Sequence, residues 1–317
     1  MSPARLARAI LGVWFAWLLA MLSGCATPQA LQLQSQAAGL PPVAHTGKVP
    51  FIAQKEYECG PAALSMVLSA AGVASNVDEL VQQVYLPARK GSLQVEMMAA
   101  TRRHGLLAYR LQPELRTLLA EVAAGHPVLV FQNVSLPVYP VWHYAVVIGY
   151  DLPNNTITLH SGETEAMDMS LYAFERTWAR GNYWAMLALR PGILPATVGL
   201  ESLSRSAADL EGPQPAAALA TYDAALKRWP GNAGLLLGRG NSAYALGQLP
   251  EAIAAYRAAV RAKPDFADAW NNLAQAQLDV GDRAAAADAI GHAVALGGMR
   301  AAQYQALQAR IQSQEKP

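Results

Sequence analysis

Three side chains in this sequence have the types that nucleophilic attack on a carbonyl requires: a thiol, an imidazole and an amide. The thiol belongs to Cys59, which is followed by Gly60-Pro61 and then by strong helix formers up to Ala71. The spacing predicts that Cys59 lies at the N-terminus of a helix, where unpaired N–H groups and the helix dipole stabilise a thiolate. Pro61 suits the first helical turn because it has no N–H to lose.

A cysteine nucleophile also needs a base and donors for the oxyanion. His143 opens the apolar run Tyr144–Tyr150, and a histidine at the start of a strand can face a cleft between helix and sheet. Gln54 lies five residues before Cys59, so its amide and the Cys59 N–H are the candidate oxyanion donors. Taken singly, His143 and Gln54 also fit a surface histidine and an ordinary polar loop residue.

Helical patterns precede β-like runs in the elements that must position these residues. The helical stretches are Pro61–Ala71, Asp78–Val84 and Val95–His104. The β-like runs are Val128–Gln132, Tyr144–Tyr150, Thr156–His160 and Tyr183–Leu189, separated by turn residues. This order predicts an α+β domain over residues 48–191.

The chain from Gln54 to Leu64, read together with the segment His143–Asp151 about 85 residues later, carries a family resemblance. It resembles the papain-like cysteine peptidases of the bacteriocin-processing, or double-glycine leader, family. The resemblance covers roughly residues 48–190 and implies an antiparallel sheet with the cysteine at a helix N-terminus. It implies that Cys59 is the nucleophile, His143 the general base and acid, and Gln54 an oxyanion donor.

The residue that orients the imidazole departs from the family pattern, which has Asp-Pro where this chain has Ser161-Gly162. Ser161 falls nearest the aspartate position and His160 is adjacent, so both are candidates to orient His143. A serine hydrogen-bonds an imidazole but does not stabilise imidazolium as a carboxylate does. Further candidates in the following loop are Glu163, Glu165 and Asp168. Two functions therefore stay open: a cysteine peptidase, or a catalytically weak or inactive peptidase-like scaffold.

A period of 34 residues appears in the C-terminal part of the chain, in residues 200–312. It relates Pro230 to Pro264, Gly247 to Gly281, Tyr222 to Tyr256, and two series of alanines. The pattern resembles the tetratricopeptide repeat and predicts an all-α domain with two full units, 231–264 and 265–298, after a divergent first helical pair. A generic Ala-rich bundle is the alternative. Such arrays bind peptides or protein segments, which predicts a protein partner.

The N-terminus predicts export and lipid anchoring. Arg5 and Arg8 precede the apolar run Ile10–Leu22, which is too short for a comfortable membrane span, and Ser23-Gly24-Cys25 follows. This order resembles the lipobox of bacterial lipoproteins, so residues 1–24 are predicted to be a signal peptide and Cys25 a lipidated membrane anchor. Residues 25–47 are predicted to be a tether. Ala26 favours the periplasmic face of the outer membrane.

Composition restricts the other functions. The net charge is +1 and charged residues make up 15 %, without a basic stripe, so a nucleic-acid partner is not expected. His104, His126 and His160 have no metal-ligand spacing, so neither a metal site nor a cofactor is predicted. The expected partners are a peptide or protein substrate, a protein bound by the repeats, and the membrane through Cys25.

Overall fold

A computed structural model describes residues 27–36 and 38–313, without the side chains of residues 34–36. The predicted signal segment and the lipidation site at Cys25 lie outside the described residues. Within them no helix has both the length and the apolar character needed to cross a bilayer.

The N-terminal part of the chain contains one seven-stranded antiparallel sheet. Its strands are β1 (Val43–His45), β4 (Leu107–Arg110), β5 (Val128–Asn133), β6 (Trp142–Asp151), β7 (Thr156–Ser161), β8 (Thr164–Ser170) and β9 (Ala185–Leu189), in the order β4-β9-β5-β6-β7-β8 with β1 beside the end of β6. A separate hairpin joins β2 (Tyr85–Leu86) to β3 (Gly91–Ser92). The long central strand β6 begins at the residues of the predicted site.

Helices cover both faces of this sheet. They are α1 (Pro28–Gln36), α2 (Cys59–Ala70), α3 (Val77–Val84), α4 (Gln94–Arg103), α5 (Leu115–Ala123) and α6 (Leu171–Arg180). Because side chains alternate along a strand, Tyr144 and Val146 pack against α2, α3 and α4. Ala145 and Val147 point to the other face, into the core that includes α1, α5 and α6.

The residues in the first turn, the buried face and the C-terminal end of α2 explain why Cys59 starts a helix. The first turn contains Pro61, and seven consecutive residues from Ala62 to Leu68 are fully or almost fully buried against the sheet. The helix ends where Gly72 adopts a left-handed conformation, with φ of +80°, and the Val73 N–H returns to the Leu68 carbonyl at 3.0 Å. The predicted helix at Cys59 is present.

The described part of the segment predicted to be a tether is folded against the body instead. Helix α1 buries Ala30 and Leu33, and Thr27 is only 6 % exposed. The buried carboxylate of Glu175 accepts the N–H groups of Gln29 and Ala30 at 3.1 and 2.6 Å. Because a carboxylate satisfies unpaired N–H groups at a helix N-terminus and complements its dipole, Glu175 fixes the start of α1.

The C-terminal region consists of helical pairs. Its helices are α7 (Leu200–Glu211), α8 (Pro215–Arg228), α9 (Ala233–Ala245), α10 (Leu249–Ala262), α11 (Ala267–Asp279), α12 (Arg283–Leu296) and α13 (Ala301–Ser313). The pairs α9–α10 and α11–α12 coincide with the two predicted repeat units. Gly238 and Gly240 of α9 leave room for the rings of Tyr222 and Tyr256, which explains the small residues at these helix contacts.

The first helical pair shares its core with the sheet domain. Leu203 and Leu210 of α7 belong to the same buried cluster as Leu107 and Tyr109 of β4. The connection is also held by Glu121, a fully buried carboxylate that accepts the N–H groups of Ala196 and Thr197 at 3.0 and 2.7 Å. His126 pairs with the same carboxylate at 2.8 Å. The two regions therefore meet through packed and hydrogen-bonded residues.

Candidate functional site

Cys59 is the first residue of α2, and its thiol is free. No side chain caps this helix N-terminus, so the first N–H groups stay open to a ligand at Cys59. Gly60 lacks a Cβ where one would overlap the Ser92 side chain, and this close approach seats the β2–β3 hairpin beside the thiol. The Tyr144 hydroxyl donates to the Ser92 carbonyl at 3.1 Å and holds the hairpin there.

A tight turn brings Gln54 to the same place. The Glu58 N–H donates to the Lys55 carbonyl at 3.0 Å, and Tyr57 within the turn has a positive φ of 64°. The Gln54 side-chain amide donates to the Tyr144 carbonyl at 3.3 Å. Because an amide NH₂ carries two hydrogens, one of them stays available to another acceptor.

His143 lies one residue inside β6, and its Nε2 is 2.9 Å from the Ser161 hydroxyl oxygen on β7. Among the described residues, Nδ1 is the ring nitrogen of His143 without a hydrogen-bond partner. Among the described residues, no carboxylate lies within ion-pair distance of His143, and His143 hydrogen-bonds to Ser161 and not to Cys59.

The structure does not bring His160, the second candidate for an orienting residue, to His143. Its ring is buried, with Nε2 3.2 Å from the Val49 carbonyl and Nδ1 accepting the Ala166 N–H at 3.2 Å. Both ring nitrogens therefore have backbone partners. Strand alternation explains the difference, because neighbouring residues of β7 point to opposite faces.

The acidic candidates also lie apart from the imidazole. Asp168 accepts the Thr158 hydroxyl at 2.6 Å, and Asp151 accepts the Asn154 N–H at the far end of β6. Glu165 is exposed on β8, and Glu163 lines the cleft that contains His143 without pairing with it. A serine thus occupies the place where the family pattern has a carboxylate.

Burial shifts the pKa values of Cys59 and His143. It raises the pKa of the Cys59 thiol above its ordinary value, although backbone groups of Tyr144, Gly60 and Cys59 itself oppose the rise. It lowers the pKa of His143, and no charged group counteracts it. Both shifts favour the neutral forms of the thiol and the imidazole, which lie in the same cleft.

One cleft of about 1250 Å³ contains Gln54, Cys59, His143 and Tyr144. One wall is the turn at Lys55–Tyr57 and the β2–β3 hairpin, where the Lys90 ammonium lies 5.2 Å from the centre of the Tyr57 ring. The lining also includes the apolar residues Val141 and Trp142 and the charged residues Glu163 and Arg180.

A second cavity of about 610 Å³ lies among the repeats. It is lined by side-chain amides on α9, α11 and α13, with Arg310 as its charged member: Asn241, Asn271, Asn272, Gln275 and Gln303. Asn272 donates to Asn241 at 2.9 Å, and Tyr256 donates to the same oxygen at 3.1 Å. Amides in this arrangement can hydrogen-bond a peptide backbone.

No group of three or more His, Cys, Asp or Glu side chains with metal-binding geometry occurs in residues 27–36 and 38–313.

The sequence reasoning missed three residues that the structure places at functional positions. Tyr144 brings backbone groups to Cys59, whereas Glu175 and Glu121 hold distant backbone segments. Tyr144 directly follows His143 at the start of the predicted strand, and this position was the sequence signal that it lies beside the site. The two glutamates had none, since the backbone segments that they hold are 75 or more residues away.

Comparison with known proteins identifies both regions. Residues 46–186 match the Peptidase_C39 like family, and residues 240–281 match a TPR repeat. The predicted fold class is confirmed: a C39-like peptidase domain with an antiparallel sheet is followed by a helical tetratricopeptide-repeat region. No curated protein sequence matches the chain.

Solved structures are similar to one region or the other. A C39-like peptidase from Bacillus anthracis covers 47 % of this chain and 98 % of its own, with 17 % identity and a TM-score of 0.40. A double glycine motif protease from an AMS/PCAT transporter, in complex with the leader peptide, covers 45 % and 91 %, with 22 % identity and a TM-score of 0.35. The TPR2B domain of yeast Sti1, in a pHsp70 complex, covers 36 % and 100 %, with 26 % identity and a TM-score of 0.33.

Proposed function

We propose that this chain, a C39-like peptidase domain joined to tetratricopeptide repeats, is a cysteine peptidase that cleaves a peptide or protein substrate at the bacterial envelope. The observation that carries the proposal is the shared cleft of Cys59, His143 and Gln54, in which Ser161 engages Nε2 of the imidazole and leaves Nδ1 for the thiol. The residues stand in the chain order that the family resemblance implies.

The proposed reaction passes through an acyl-enzyme. The Cys59 sulfur attacks the carbonyl carbon while its proton passes to Nδ1 of His143. The second Gln54 N–H and the Cys59 N–H stabilise the oxyanion. The peptide C–N bond then breaks, the amine leaves with the proton from the imidazolium, and a thioester remains. Water attacks the thioester, gives a proton to His143, and releases a carboxylic acid product and the thiol.

Two further assignments belong to the proposal. Cys25 is lipidated and anchors the chain to the envelope, at the periplasmic face of the outer membrane. The repeats recruit the substrate or a protein partner through the amide-lined cavity, and the side-chain amides and Arg310 that line it support this assignment.

A second candidate function is a catalytically weak or inactive peptidase-like scaffold. It is favoured by the partner of His143, which is a serine hydroxyl that cannot stabilise imidazolium as a carboxylate does. The raised pKa of the Cys59 thiol also favours it. In this alternative the cleft and the repeats bind polypeptide without cleaving it.

Peptide cleavage separates the two functions. The chain from residue 26 onward is incubated with a diverse peptide mixture, and new termini are identified by mass spectrometry. The peptidase account expects cleavage at a restricted set of sites, abolished by Cys59→Ala and retained by the matched control His45→Ala, which changes an exposed histidine. Cleavage that persists in Cys59→Ala would contradict the assignment, and a lack of cleavage in all three proteins would favour the scaffold.

A further inference from the structure

The loop between β5 and β6, residues 134–141, exposes apolar side chains beside the cleft. Seven of its eight residues are apolar or aromatic and exposed, and none is charged. Val138 is 88 % exposed and Leu136 is 61 % exposed. A soluble surface rarely presents so many adjacent apolar side chains without a partner.

The loop is held in shape without burying these side chains. Asn133, which is buried, accepts the N–H groups of Ser135 and Val141 at 3.0 Å each. The Tyr139 N–H donates to the Leu136 carbonyl at 3.1 Å, and Arg180 donates to the Ser135 carbonyl at 2.5 Å. These hydrogen bonds therefore hold the loop in a conformation that leaves its apolar side chains exposed.

Only part of the loop faces the cleft. Residues 139–141 line the cleft together with Trp142, so a substrate would contact them. Val134, Leu136 and Val138 are exposed and lie outside the cleft lining. Substrate binding in the cleft therefore does not explain why these three apolar side chains are exposed.

The start of the chain is attached to the same helix as the loop. Glu175 of α6 holds the N-terminus of α1, and Arg180 of α6 holds the base of the loop. Five residues of helix separate the two, which is about 7.5 Å along the axis. Cys25 lies two residues before the buried Thr27, a reach of about 7 Å in extended chain. A lipid on Cys25 would thus be joined to the body by a very short link.

We propose that the loop 134–141 docks on the phospholipid surface that holds the Cys25 lipid, so that the cleft opens beside the membrane. This rests on the proposed lipidation. Val134, Leu136 and Val138 enter the apolar edge of the bilayer, and the lipid and the loop together fix the orientation of the peptidase domain. The substrate class that fits is polypeptide presented at a membrane surface.

The test imposes the anchor chemically, so that neither natural lipidation nor catalysis is required. The chain from residue 25 onward with Cys59→Ala has Cys25 as its single thiol. It is coupled through Cys25 to a maleimide lipid in vesicles of phosphatidylethanolamine and phosphatidylglycerol. Hydrogen exchange of residues 134–141 is compared with that of the uncoupled chain, and residues 297–300 serve as the reference segment in the repeats.

We expect slower exchange in residues 134–141 on vesicles and unchanged exchange in residues 297–300. In a second arm, the chain with Cys25→Ser is sedimented with the same vesicles. The double variant Leu136→Asp, Val138→Asp should reduce binding about tenfold, as expected when apolar side chains are lost from an interfacial segment. Met299→Asp, at a fully exposed apolar residue, should not reduce it.

Equal exchange with and without vesicles would overturn the proposal. So would equal vesicle binding of the loop variant and the Met299 control. If the loop variant keeps its vesicle binding but loses cleavage of soluble peptides, the loop is a protein-docking surface and the membrane assignment is wrong. Because neither vesicle measurement depends on Cys59, a failure here is separate from a failure of the peptidase assignment.

Discussion

At the scale of single residues, the site combines a helix N-terminus that favours a thiolate with burial that disfavours it. Burial prevails for Cys59, whose pKa is raised, and it lowers the pKa of His143. A preformed thiolate–imidazolium pair would need the opposite shifts. In the proposed reaction, attack therefore depends on proton transfer to His143 when a carbonyl is bound.

The pH dependence of alkylation tests these shifts. A thiol with a raised pKa forms thiolate only above its ordinary range, and an imidazole with a lowered pKa stays neutral until the pH is below about 6.5. In the Cys25→Ser chain, the rate of Cys59 alkylation by iodoacetamide should rise with a midpoint above about 8.5. A midpoint below about 7 would show that the ion pair exists without substrate.

Substitution of Ser161 tests its role as a positioning residue. Removing a neutral hydrogen bond of about 1 kcal/mol should lower kcat/KM roughly fivefold to tenfold in Ser161→Ala, with Ser161→Thr as the matched control that keeps the hydroxyl. Ser161→Asp should raise the pKa of His143, because a carboxylate stabilises imidazolium, and shift the acidic limb of the pH profile upward. An unchanged profile in both Ala and Asp variants would exclude Ser161 from orienting the ring.

The candidate residues of the site could be named from the sequence because their signals are local. Cys59 precedes a helix and His143 precedes a strand, and each pattern lies within about ten residues of the side chain concerned. The partner of His143 was left open between Ser161 and His160, since a one-residue change of register exchanges the faces of a strand. The structure brings Ser161 to the imidazole and gives His160 two backbone partners.

At the scale of elements, α1 departs most from what the sequence suggested. The segment Pro28–Gln36 has no apolar period, and its docking depends on contacts that are distant in sequence. Glu175 is 146 residues from Gln29, and Gln29 in turn accepts the Leu115 N–H at the start of α5 at 2.5 Å. No local sequence pattern indicates hydrogen bonds between residues so far apart in the chain. The segment was therefore predicted to be a tether.

Strand β8 was missed for a different reason. Its sequence, Thr164–Ser170, is largely exposed and polar, and it pairs with β7 at the edge of the sheet. Its apolar alternation is short, because only Met167 and Met169 are partly buried and pack against the core, so the sequence signal for a strand is weak. The predicted strands β5, β6, β7 and β9 contain buried apolar residues, whereas the short strand β4, which is also buried, was not predicted.

Loss of the Glu175 carboxylate should release α1. In Glu175→Ala, the N–H groups of Gln29 and Ala30 lose a buried acceptor, which costs about 1 to 3 kcal/mol for each unsatisfied group. Hydrogen exchange in residues 28–36 should become much faster, and that in β5 should change less. Glu165→Ala, at an exposed glutamate of β8, is the control and should leave both segments unchanged. Equal exchange in Glu175→Ala and the wild-type chain would refute the capping role.

At the scale of the whole molecule, the C39-like peptidase domain and the first helical pair share one hydrophobic core. The buried cluster that contains Leu107 and Tyr109 continues through Leu210 to Leu235, whereas the later repeats have a cluster of their own. The period of 34 residues predicted the repeats but gave no indication of this shared core. The reason is that the period describes contacts between neighbouring repeats and not contacts with the sheet.

Two matched substitutions test where the units divide. Leu210→Ala and Leu273→Ala each remove a buried leucine side chain, which costs about 2 to 5 kcal/mol. Leu210→Ala should speed hydrogen exchange in β5, because α7 shares the core of the sheet. Leu273→Ala should speed exchange in α11 and α12 and leave β5 unchanged. A faster exchange of β5 in both variants would indicate a single cooperative unit instead.

The central claim is that Cys59 is a nucleophile activated by His143, and covalent labelling tests it most directly. A peptidyl vinyl sulfone is incubated with the chain from residue 26 onward, and the modified residue is located by mass spectrometry. We expect modification at Cys59, slowed at least about 100-fold by His143→Ala, since a general base contributes factors of this size. His45→Ala, at an exposed histidine, should leave the rate unchanged. Labelling of Cys59 at the same rate in the wild-type chain and in His143→Ala would contradict the account.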